Sequence, residues 1–365
     1  MKIDRVIISG GGTGGHIFPA IAIADEIKRR NPNAEILFVG ANGKMEMEKV
    51  PQAGYKIKGL TIVGFQRRLT LSNFLLPFKI IASLWNAIKI IKEFKPQVVI
   101  GVGGYASGPT LQAATFLKIP TLIQEQNSFP GKTNKILANK VASICTAYEG
   151  LERFFPANKI TLTGNPVRPE MVEIEGKRNE AFEFYGLNPD KKTILVIGGS
   201  LGARTLNESI KSHLKELQEN DIQVLWQCGK VYVDSLTKEL EGTNIDGIKM
   251  VQFIARMDLA YTLADVIISR AGAISVSELC LVKKPVILVP SPNVAEDHQT
   301  KNAMALVNKN AALLVKDIEA KERLVNKTIE VLKDIELQAT LISEIEKLGK
   351  PDATASIVNE IEKII

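Results

Sequence analysis

The chain has three cysteines and three histidines among its 365 residues, and it lacks long apolar runs. The cysteines lie far apart in sequence, which excludes a disulfide framework or a zinc motif and fits a reducing, cytoplasmic setting. No run of about 18 uncharged apolar residues occurs, so a transmembrane helix is not expected. A signal peptide is not expected either, because the first residues lead directly into a strand pattern.

Several ligand-binding motifs are missing as well. No D-x-D occurs, so a diphosphate held by a metal in that way is not supported. No G-K-[ST] follows either of the main glycine runs, which excludes a Walker loop there. The acidic residue that would hold a ribose at the end of the second predicted strand is absent from Gly40-Ala41-Asn42-Gly43, which disfavours NAD binding. The net charge of +6 suits any anionic partner and selects none.

Two similar glycine-rich segments are present. Gly10–His16 follows the apolar run Val6-Ile7-Ile8, and Gly198–Arg204 follows Ile194–Ile197. The order strand, tight turn, helix directs backbone N–H groups and a helix N-terminus towards an anion, usually a phosphate. Two such segments predict two Rossmann-like halves that face each other across a cleft.

The pattern between these segments predicts the fold class. Short apolar runs alternate with amphipathic stretches, which is typical of an α/β protein with parallel sheets covered on both faces. The alternation restarts after the proline-containing segment 163–169, which reads as a linker. The predicted strands are 5–9, 35–39, 97–102, 121–124, 193–197, 223–227, 249–253, 266–269 and 286–289. Predicted helices include 19–30 and 111–117, and the tail from about residue 319 is helical.

Polar and small residues follow several other predicted strands, where open α/β sheets bind their ligands. The segments are Gly101–Pro109, Glu125-Gln126-Asn127, Ser269–Glu278 and Asp297–Asn302. Ser269–Glu278 predicts a diphosphate loop followed by a ribose-binding carboxylate, Glu278. For the other segments, ordinary turns or surface loops remain open alternatives.

His16 lies where the first glycine loop becomes a helix. A histidine there can act as a general base or donate a hydrogen bond to a phosphate. The alternative is a histidine that only caps or packs the helix.

Residues 71–94 form an unusually apolar stretch with flanking Arg67, Arg68 and several lysines. Most of it reads as a buried helix with lysines that extend to the surface. An apolar patch ringed by cations on an anionic bilayer is the competing interpretation, chiefly for the part from Phe74 to Phe78.

Taken together, these motifs resemble the MurG family, the N-acetylglucosaminyltransferases that act in peptidoglycan synthesis. The matching segments, in the order of that family, are Gly11–His16, Gly103–Pro109, 125–127, 164–168, 198–204 and 269–278. The resemblance implies the GT-B fold and transfer of N-acetylglucosamine from UDP-N-acetylglucosamine to the 4-hydroxyl of lipid I, with inversion. It implies an N-terminal acceptor- and membrane-binding domain at 1–164, a UDP-sugar domain at 165–345, and a last helix at 346–365 that packs back on the first domain.

The family pattern also assigns residues of this chain. His16 is the expected catalytic base, on the grounds of its place in the loop and of a histidine pKa near neutral pH rather than of the motifs. The expected donor-site residues are Thr13, Gly14, Gly15, Asn127, Arg168, Ser200, the backbone of Ile254, Ala273, Ile274, Ser275, Val276, Ser277, Glu278 and Gln299. The acceptor diphosphate is expected at Gly103, Gly104, Tyr105, Ser107 and Gly108, and the membrane patch at Phe74, Leu75, Phe78 and Trp85.

The resemblance implies no cofactor, no metal and no nucleic-acid partner. Its implied partners are UDP-N-acetylglucosamine, lipid I, the anionic cytoplasmic face of the inner membrane, and other proteins of cell-wall synthesis or division. A GT-B transferase with another acceptor, a UDP-sugar epimerase, and a non-catalytic protein that binds a nucleotide sugar are the alternatives.

Overall fold

The computed structural model describes residues 2–62 and 76–365 and divides into two compact units. Unit 1 is Met1–Val167 together with Pro351–Ile365, and unit 2 is Arg168–Lys350. The boundary between the two units therefore lies a few residues after the one given by the sequence, which was at residue 164. Asn165 stays with unit 1 because its amide accepts from Gln124 Nε2 (2.9 Å) and donates to the Gln126 carbonyl (3.0 Å).

In the described residues, unit 1 contains a seven-stranded parallel sheet with the order β3-β2-β1-β4-β5-β6-β7. Its strands are β1 Arg5–Ser9, β2 Glu35–Ala41, β3 Lys56–Leu60, β4 Val98–Gly101, β5 Thr121–Glu125, β6 Ser143–Thr146 and β7 Ile160–Leu162. The helices between them are α1 Gly14–Arg30, α2 Glu46–Gln52, α3 Leu76–Phe94, α4 Ser107–Phe116 and α5 Lys132–Leu137.

Unit 2 has a six-stranded parallel sheet with the order β10-β9-β8-β11-β12-β13. Its strands are β8 Lys192–Ile197, β9 Ile222–Gln227, β10 Ile248–Val251, β11 Val266–Ser269, β12 Val286–Leu288 and β13 Leu313–Leu314. Its helices are α6 Arg178–Tyr185, α7 Arg204–Ser212, α8 Leu214–Glu219, α9 Val233–Glu239, α10 Met257–Leu263, α11 Ala273–Val282, α12 His298–Val307, α13 Asp317–Lys333 and α14 Ile335–Glu346.

Each sheet reverses its strand order at one point, and this positions the candidate sites. In unit 1 the chain winds outward from β1 in one direction and from β4 in the other. In unit 2 the corresponding neighbours are β8 and β11. Ligands of open α/β sheets bind outside the carboxyl ends of the strands at such switch points. All four of these strands are followed by glycine-containing loops.

The strand predictions were correct where a buried apolar run marks the strand and incomplete elsewhere. The strands β3, β6, β7 and β13 were not predicted. Strand β3 is half-exposed and carries lysines, and β6 is buried but rich in Ser, Cys and Thr, so neither has the expected apolar run. Helices α1 and α4 begin four or five residues earlier than predicted, because their first turns contain small loop residues that give no apolar period.

The final helix α15, Ala353–Ile364, returns to unit 1 and packs on α1. Ile357, Val358 and Ile361 are buried in the same core cluster as the apolar side of α1. Arg30 at the end of α1 adds polar contacts, because its guanidinium donates to Asn359 Oδ1 (2.7 Å) and pairs with Glu362 (3.0 Å). The core of unit 1 is therefore completed by residues from the other end of the chain.

We expect Ile361→Val to lower the free energy of unfolding by about 1 kcal/mol, because it removes one buried methylene. Urea denaturation measures this as a lower midpoint with an unchanged slope. Ile318→Val is the matched control, since Ile318 is 91% exposed and Ile361 is fully buried. Equal midpoints for the two variants would contradict the packing of α15.

Candidate active site

The loop after β1 and the loop after β4 approach each other through their backbones. A Cβ on Gly10 would lie 2.1 Å from Val102 Cγ2, and one on Gly104 would lie 2.3 Å from the Gly11 carbonyl oxygen. Gly12 and Gly104 also have positive φ angles of +86° and +87°. The glycines in both loops are thus required by close approach and by backbone conformation.

His16 lies in the first turn of α1, directly after these glycines. Its Nδ1 is 3.1 Å from the Gly11 carbonyl oxygen and 3.3 Å from Thr13 Oγ1. A carbonyl can only accept, so the shorter contact requires a proton on Nδ1. Neutral His16 then carries its lone pair on Nε2, which is the form that a general base needs. The Nε2 edge is next to Gly103, where any Cβ would lie 2.8 Å from the ring.

Glu46 was missed by the sequence analysis, and it belongs to the same loop. Its side chain is buried at the start of α2, where Oε2 accepts the Gly12 N–H (2.8 Å) and Oε1 accepts the Ala41 N–H (3.0 Å). The carboxylate therefore connects the first glycine loop to the end of β2. No local signal marks it, because its partners lie 34 and 5 residues away.

Glu125 is a buried residue that holds the loop after β5 through hydrogen bonds. It is buried and accepts hydrogen bonds from the Asn127 N–H (3.0 Å), the Gly131 N–H (3.1 Å) and Asn134 Nδ2 (2.7 Å). Burial raises the pKa of this carboxyl, and the donated hydrogen bonds oppose the shift. Of the predicted polar segment 125–127, Asn127 is the residue that is partly exposed.

The residues predicted to contact the acceptor diphosphate differ in their exposure to solvent. Tyr105 is 58% exposed, whereas Ser107 is fully enclosed at the start of α4. The Ser107 hydroxyl is buried in the protein interior, and its contact with an acceptor diphosphate stays a prediction. Gly103 and Gly104, with positive φ, form the close approach to the β1 loop.

Unit 2 contains a pocket of about 450 Å³ at its own switch point. The N-termini of α7 and α11 open on it, with Ala203 and Gly272 as N-cap residues that give no side-chain cap. Their first-turn N–H groups make this a site for an anion. Gly198, Gly199 and Ser275 contribute to the lining, while Ser200 lies exposed in the same loop outside it.

Two further side chains shape this pocket. Gln299 lines it from the first turn of α12, and its Oε1 accepts the Ser291 N–H (2.9 Å). Arg270, which lies in the predicted segment Ser269–Glu278 but was given no role there, also lines it, pairs with Asp317 and donates to the Val289 carbonyl (2.9 Å). Asp317 accepts from Thr205 Oγ1 as well (2.9 Å). This network joins α7, the end of β11 and the start of α13 in the wall of the pocket.

Glu278 lies one turn into α11 and has a buried partner. The hydroxyl of Tyr261, a fully buried residue of α10, donates to Glu278 Oε2 (3.0 Å). Burial raises the pKa of Glu278, and the Tyr261 hydrogen bond and the Arg168 charge oppose that shift. The predicted residues Arg168 and Glu278 are thus electrostatic neighbours within unit 2. Tyr261 could not be found from sequence, because it reads as a core aromatic.

The remaining predicted donor-site residues of unit 2 differ in accessibility. Ile254 is buried, and its N–H donates to Gln227 Oε1 (3.1 Å). Val276 is buried, whereas Ala273, Ile274 and Ser277 are partly exposed in the first turns of α11. Contacts of Thr13, Gly14, Gly15 and Asn127 with a donor stay predictions.

The predicted membrane patch lies partly outside the described residues. Phe74 and Leu75 are not described, nor is the side chain of Phe78. On α3, Trp85 is 67% and Ile81 53% exposed, while Ala87, Ile90 and Ile91 are buried. One side of α3 is therefore buried, as expected for most of this stretch, and the other side carries exposed apolar side chains. Within residues 2–62 and 76–365, no helix has the length and hydropathy needed to span a bilayer.

Comparison with known proteins identifies the family. Residues 6–146 match the glycosyltransferase family 28 N-terminal domain, and residues 193–357 match its C-terminal domain. Two similar curated relatives carry the name UDP-N-acetylglucosamine--N-acetylmuramyl-(pentapeptide) pyrophosphoryl-undecaprenol N-acetylglucosamine transferase. The relative from Parabacteroides distasonis is 55% identical, covering 100% of this chain and 99% of its own. The one from Cytophaga hutchinsonii is 57% identical, covering 100% and 98%.

A solved structure agrees with these relatives. The crystal structure of Acinetobacter baumannii MurG aligns with a TM-score of 0.79 at 30% identity and covers 99% of both chains. Both the fold class and the resemblance predicted from sequence are confirmed. The chain belongs to glycosyltransferase family 28 and, within it, to the MurG family.

Proposed function

We propose that this protein transfers N-acetylglucosamine from UDP-N-acetylglucosamine to the 4-hydroxyl of the muramoyl sugar of lipid I, giving lipid II and UDP. The observation that carries the proposal is the 55% identity, over the whole chain, to a transferase named for this reaction. The chemistry of the two switch points supports it, since one offers an anion site and the other a base.

Unit 2 holds the nucleotide sugar. The diphosphate lies at the N-termini of α7 and α11, where backbone N–H groups and helix dipoles favour negative charge. The Glu278 carboxylate accepts hydrogen bonds from the ribose hydroxyls, since Tyr261 occupies Oε2 from the interior and leaves Oε1 for a ligand. The Ile254 carbonyl reads the uracil, and Gln299 contacts the donor sugar.

Unit 1 supplies the base. As O4 of the acceptor forms its bond to C1 of N-acetylglucosamine, the bond from C1 to the UDP oxygen breaks on the opposite face, which inverts the anomeric carbon. The O4 proton passes to Nε2 of His16, whose Nδ1 already carries a proton. The negative charge of the departing UDP is stabilised by the N–H groups of α7 and α11. The acceptor diphosphate lies beside Gly103 and Gly104, where the absence of side chains lets the loop after β4 approach Gly11 and His16.

The direct test incubates the full chain with labelled UDP-N-acetylglucosamine and a lipid I analogue, with a chelator in a parallel sample. We expect a labelled, lipid-linked disaccharide and stoichiometric UDP in both. Conversion of the free UDP-sugar without the lipid would indicate an epimerase. Binding of UDP without turnover would indicate a non-catalytic protein, and either result would contradict the proposal.

The lipid acceptor places the protein at the cytoplasmic face of the inner membrane, and an exposed apolar surface in unit 1 suits that location. Ile81 and Trp85 of α3, Phe116 of α4 and Ile136 of α5 are 53–74% exposed, and these helices pack side by side. The exposed Lys89 lies one turn from Trp85. Apolar side chains beside cations bind anionic bilayers by insertion and charge attraction.

The double variant Trp85→Ser/Phe116→Ser should bind anionic vesicles at least about tenfold more weakly, because two large side chains no longer leave water. Co-sedimentation with phosphatidylglycerol vesicles measures this, and phosphatidylcholine vesicles isolate the charge contribution. Phe184→Ser is the matched control, since Phe184 is 57% exposed in unit 2. Unchanged vesicle binding by the double variant would show that this surface does not contact lipid.

A further inference from the structure

One buried carboxylate has no part in the reaction described above. Glu46 is 1% exposed, and both of its oxygens accept backbone N–H groups, those of Gly12 (2.8 Å) and Ala41 (3.0 Å). Burying a carboxylate is costly unless its hydrogen bonds are made. The two hydrogen bonds offset the cost of burying the Glu46 carboxylate. A neutral side chain could join this loop to β2 as well, so the connection alone does not explain the negative charge.

The peptide that Glu46 contacts also contacts His16. The N–H of Gly12 donates to Glu46, and the carbonyl of the same peptide unit, that of Gly11, accepts from His16 Nδ1 (3.1 Å). The C=O and N–H of a peptide are conjugated, so a negative charge at the N–H makes the carbonyl a stronger acceptor. Carboxylate, peptide and imidazole therefore form one continuous hydrogen-bonded chain.

The surrounding glycines make room for this chain. A Cβ on Gly11 would lie 2.1 Å from Glu46 Cδ, and one on Gly40 would lie 2.6 Å from Glu46 Cγ. At the other end, a Cβ on Gly103 would meet the His16 ring at 2.8 Å. Three positions where any side chain would displace the carboxylate or the imidazole are thus glycine.

We propose that Glu46 is a positioning residue that acts on His16 through the Gly11–Gly12 peptide, holding the tautomer with its proton on Nδ1 and stabilising the imidazolium. The proposal rests on the proposed function, in which His16 is the base. Both oxygens of Glu46 keep their backbone N–H donors throughout, and no proton crosses the peptide. The proton that His16 accepts on Nε2 comes from O4 of the acceptor, as the bond from C1 to UDP breaks.

Other groups near the loop define what a titration would report. The titratable side chains that unit 1 packs against residues 11–16 include Glu46 from α2 and Tyr105 from the loop after β4, whose ring lies 4.0 Å from a Cβ built on Gly12. The substitution Glu46→Gln leaves Tyr105 unchanged. A change in His16 titration on removal of the Glu46 charge therefore reports the carboxylate.

The test is an NMR titration of His16 in the full chain, assigned with His16→Ala among the three histidines. In the wild type we expect the Nδ1–H tautomer. In Glu46→Gln, which keeps the size and removes the charge, we expect the His16 pKa to fall by about 0.5 to 1 pH unit. The acidic limb of the kcat/KM profile should shift equally, kcat should fall about tenfold, and KM for the donor should stay constant. Glu46→Asp, which keeps the charge, should retain the wild-type pKa.

Three results would contradict the role proposed for Glu46 or the function on which it rests. An Nε2–H tautomer in the wild type would overturn the proposal without any variant. An unchanged His16 pKa in folded Glu46→Gln would contradict the proposal and leave Glu46 only the structural role of connecting the loop to β2. A shifted pKa in a protein that transfers no sugar would contradict the proposed function and leave the hydrogen-bonded chain intact.

Discussion

Replacement of His16 by alanine is expected to lower the rate of sugar transfer by about 10²- to 10⁴-fold, the usual contribution of a general base. The imidazole is held by Nδ1 at the Gly11 carbonyl, so Nε2 carries the lone pair that can take the acceptor proton. UDP affinity should stay close to that of the wild type, because the proposed nucleotide site lies in unit 2. Initial rates with a lipid I analogue, together with calorimetric titration of UDP, measure both quantities.

His213→Ala is the matched control for this variant. His213 lies in unit 2, where its Nδ1 contacts the Ser209 carbonyl (2.8 Å) at the end of α7. Its removal should leave turnover within about twofold. If His16→Ala turned over at the wild-type rate, the catalytic assignment would be wrong and His16 would be a residue that only orders the loop.

Glu278→Ala should weaken the binding of UDP by about 10- to 100-fold, because hydrogen bonds to a charged group contribute about 1.5–3 kcal/mol. The proposed contact of Glu278 is to the ribose, so the loss should largely vanish for a 2′,3′-dideoxy analogue of UDP. Glu183→Ala, at an exposed position of α6, is the control and should bind UDP normally. An equal loss for UDP and its dideoxy analogue would place Glu278 away from the ribose.

The same residue predicts a pH dependence. Burial raises the pKa of Glu278, so its ionised form is lost at a higher pH than for an ordinary glutamate. Ribose binding uses the ionised form, and UDP affinity should therefore fall as the pH is lowered through this raised pKa. Glu278→Gln should lack that component of the pH profile, which titrations of UDP across the acidic range would reveal.

The sequence predicted most of the fold where the signal is local. Strands β1, β8 and β11 have buried apolar runs followed by glycines, and such runs appear at the same positions in both sheets. The edge strand β3 was missed because lysines alternate with its apolar residues. Family resemblance predicted α15 as a separate last helix, but no local pattern shows that its apolar face belongs to the core of α1.

The candidate site, like the fold, was predictable where the signal in the sequence is local. His16, Glu278 and the glycine loops were found because loop chemistry follows a strand directly in sequence. Tyr261, 17 residues before Glu278, and Glu46, 34 residues after Gly12, were not found. Their roles depend on which buried side chain reaches which loop, and that is decided by the tertiary structure. In the sequence alone, a tyrosine in an apolar stretch reads as a core residue, and a glutamate at the start of a helix reads as a residue that favours the helix N-terminus.

By itself the sequence determined the two parallel α/β units, the glycine loops after their strands and the candidate residues in those loops, because hydrophobic period and glycine backbone requirements act over a few residues. Only the tertiary structure decided that Glu125 faces inward, that Ser107 is enclosed, and that Glu46 and His16 share one peptide. Those facts depend on how strands distant in sequence pair and which side chains the resulting core can accommodate.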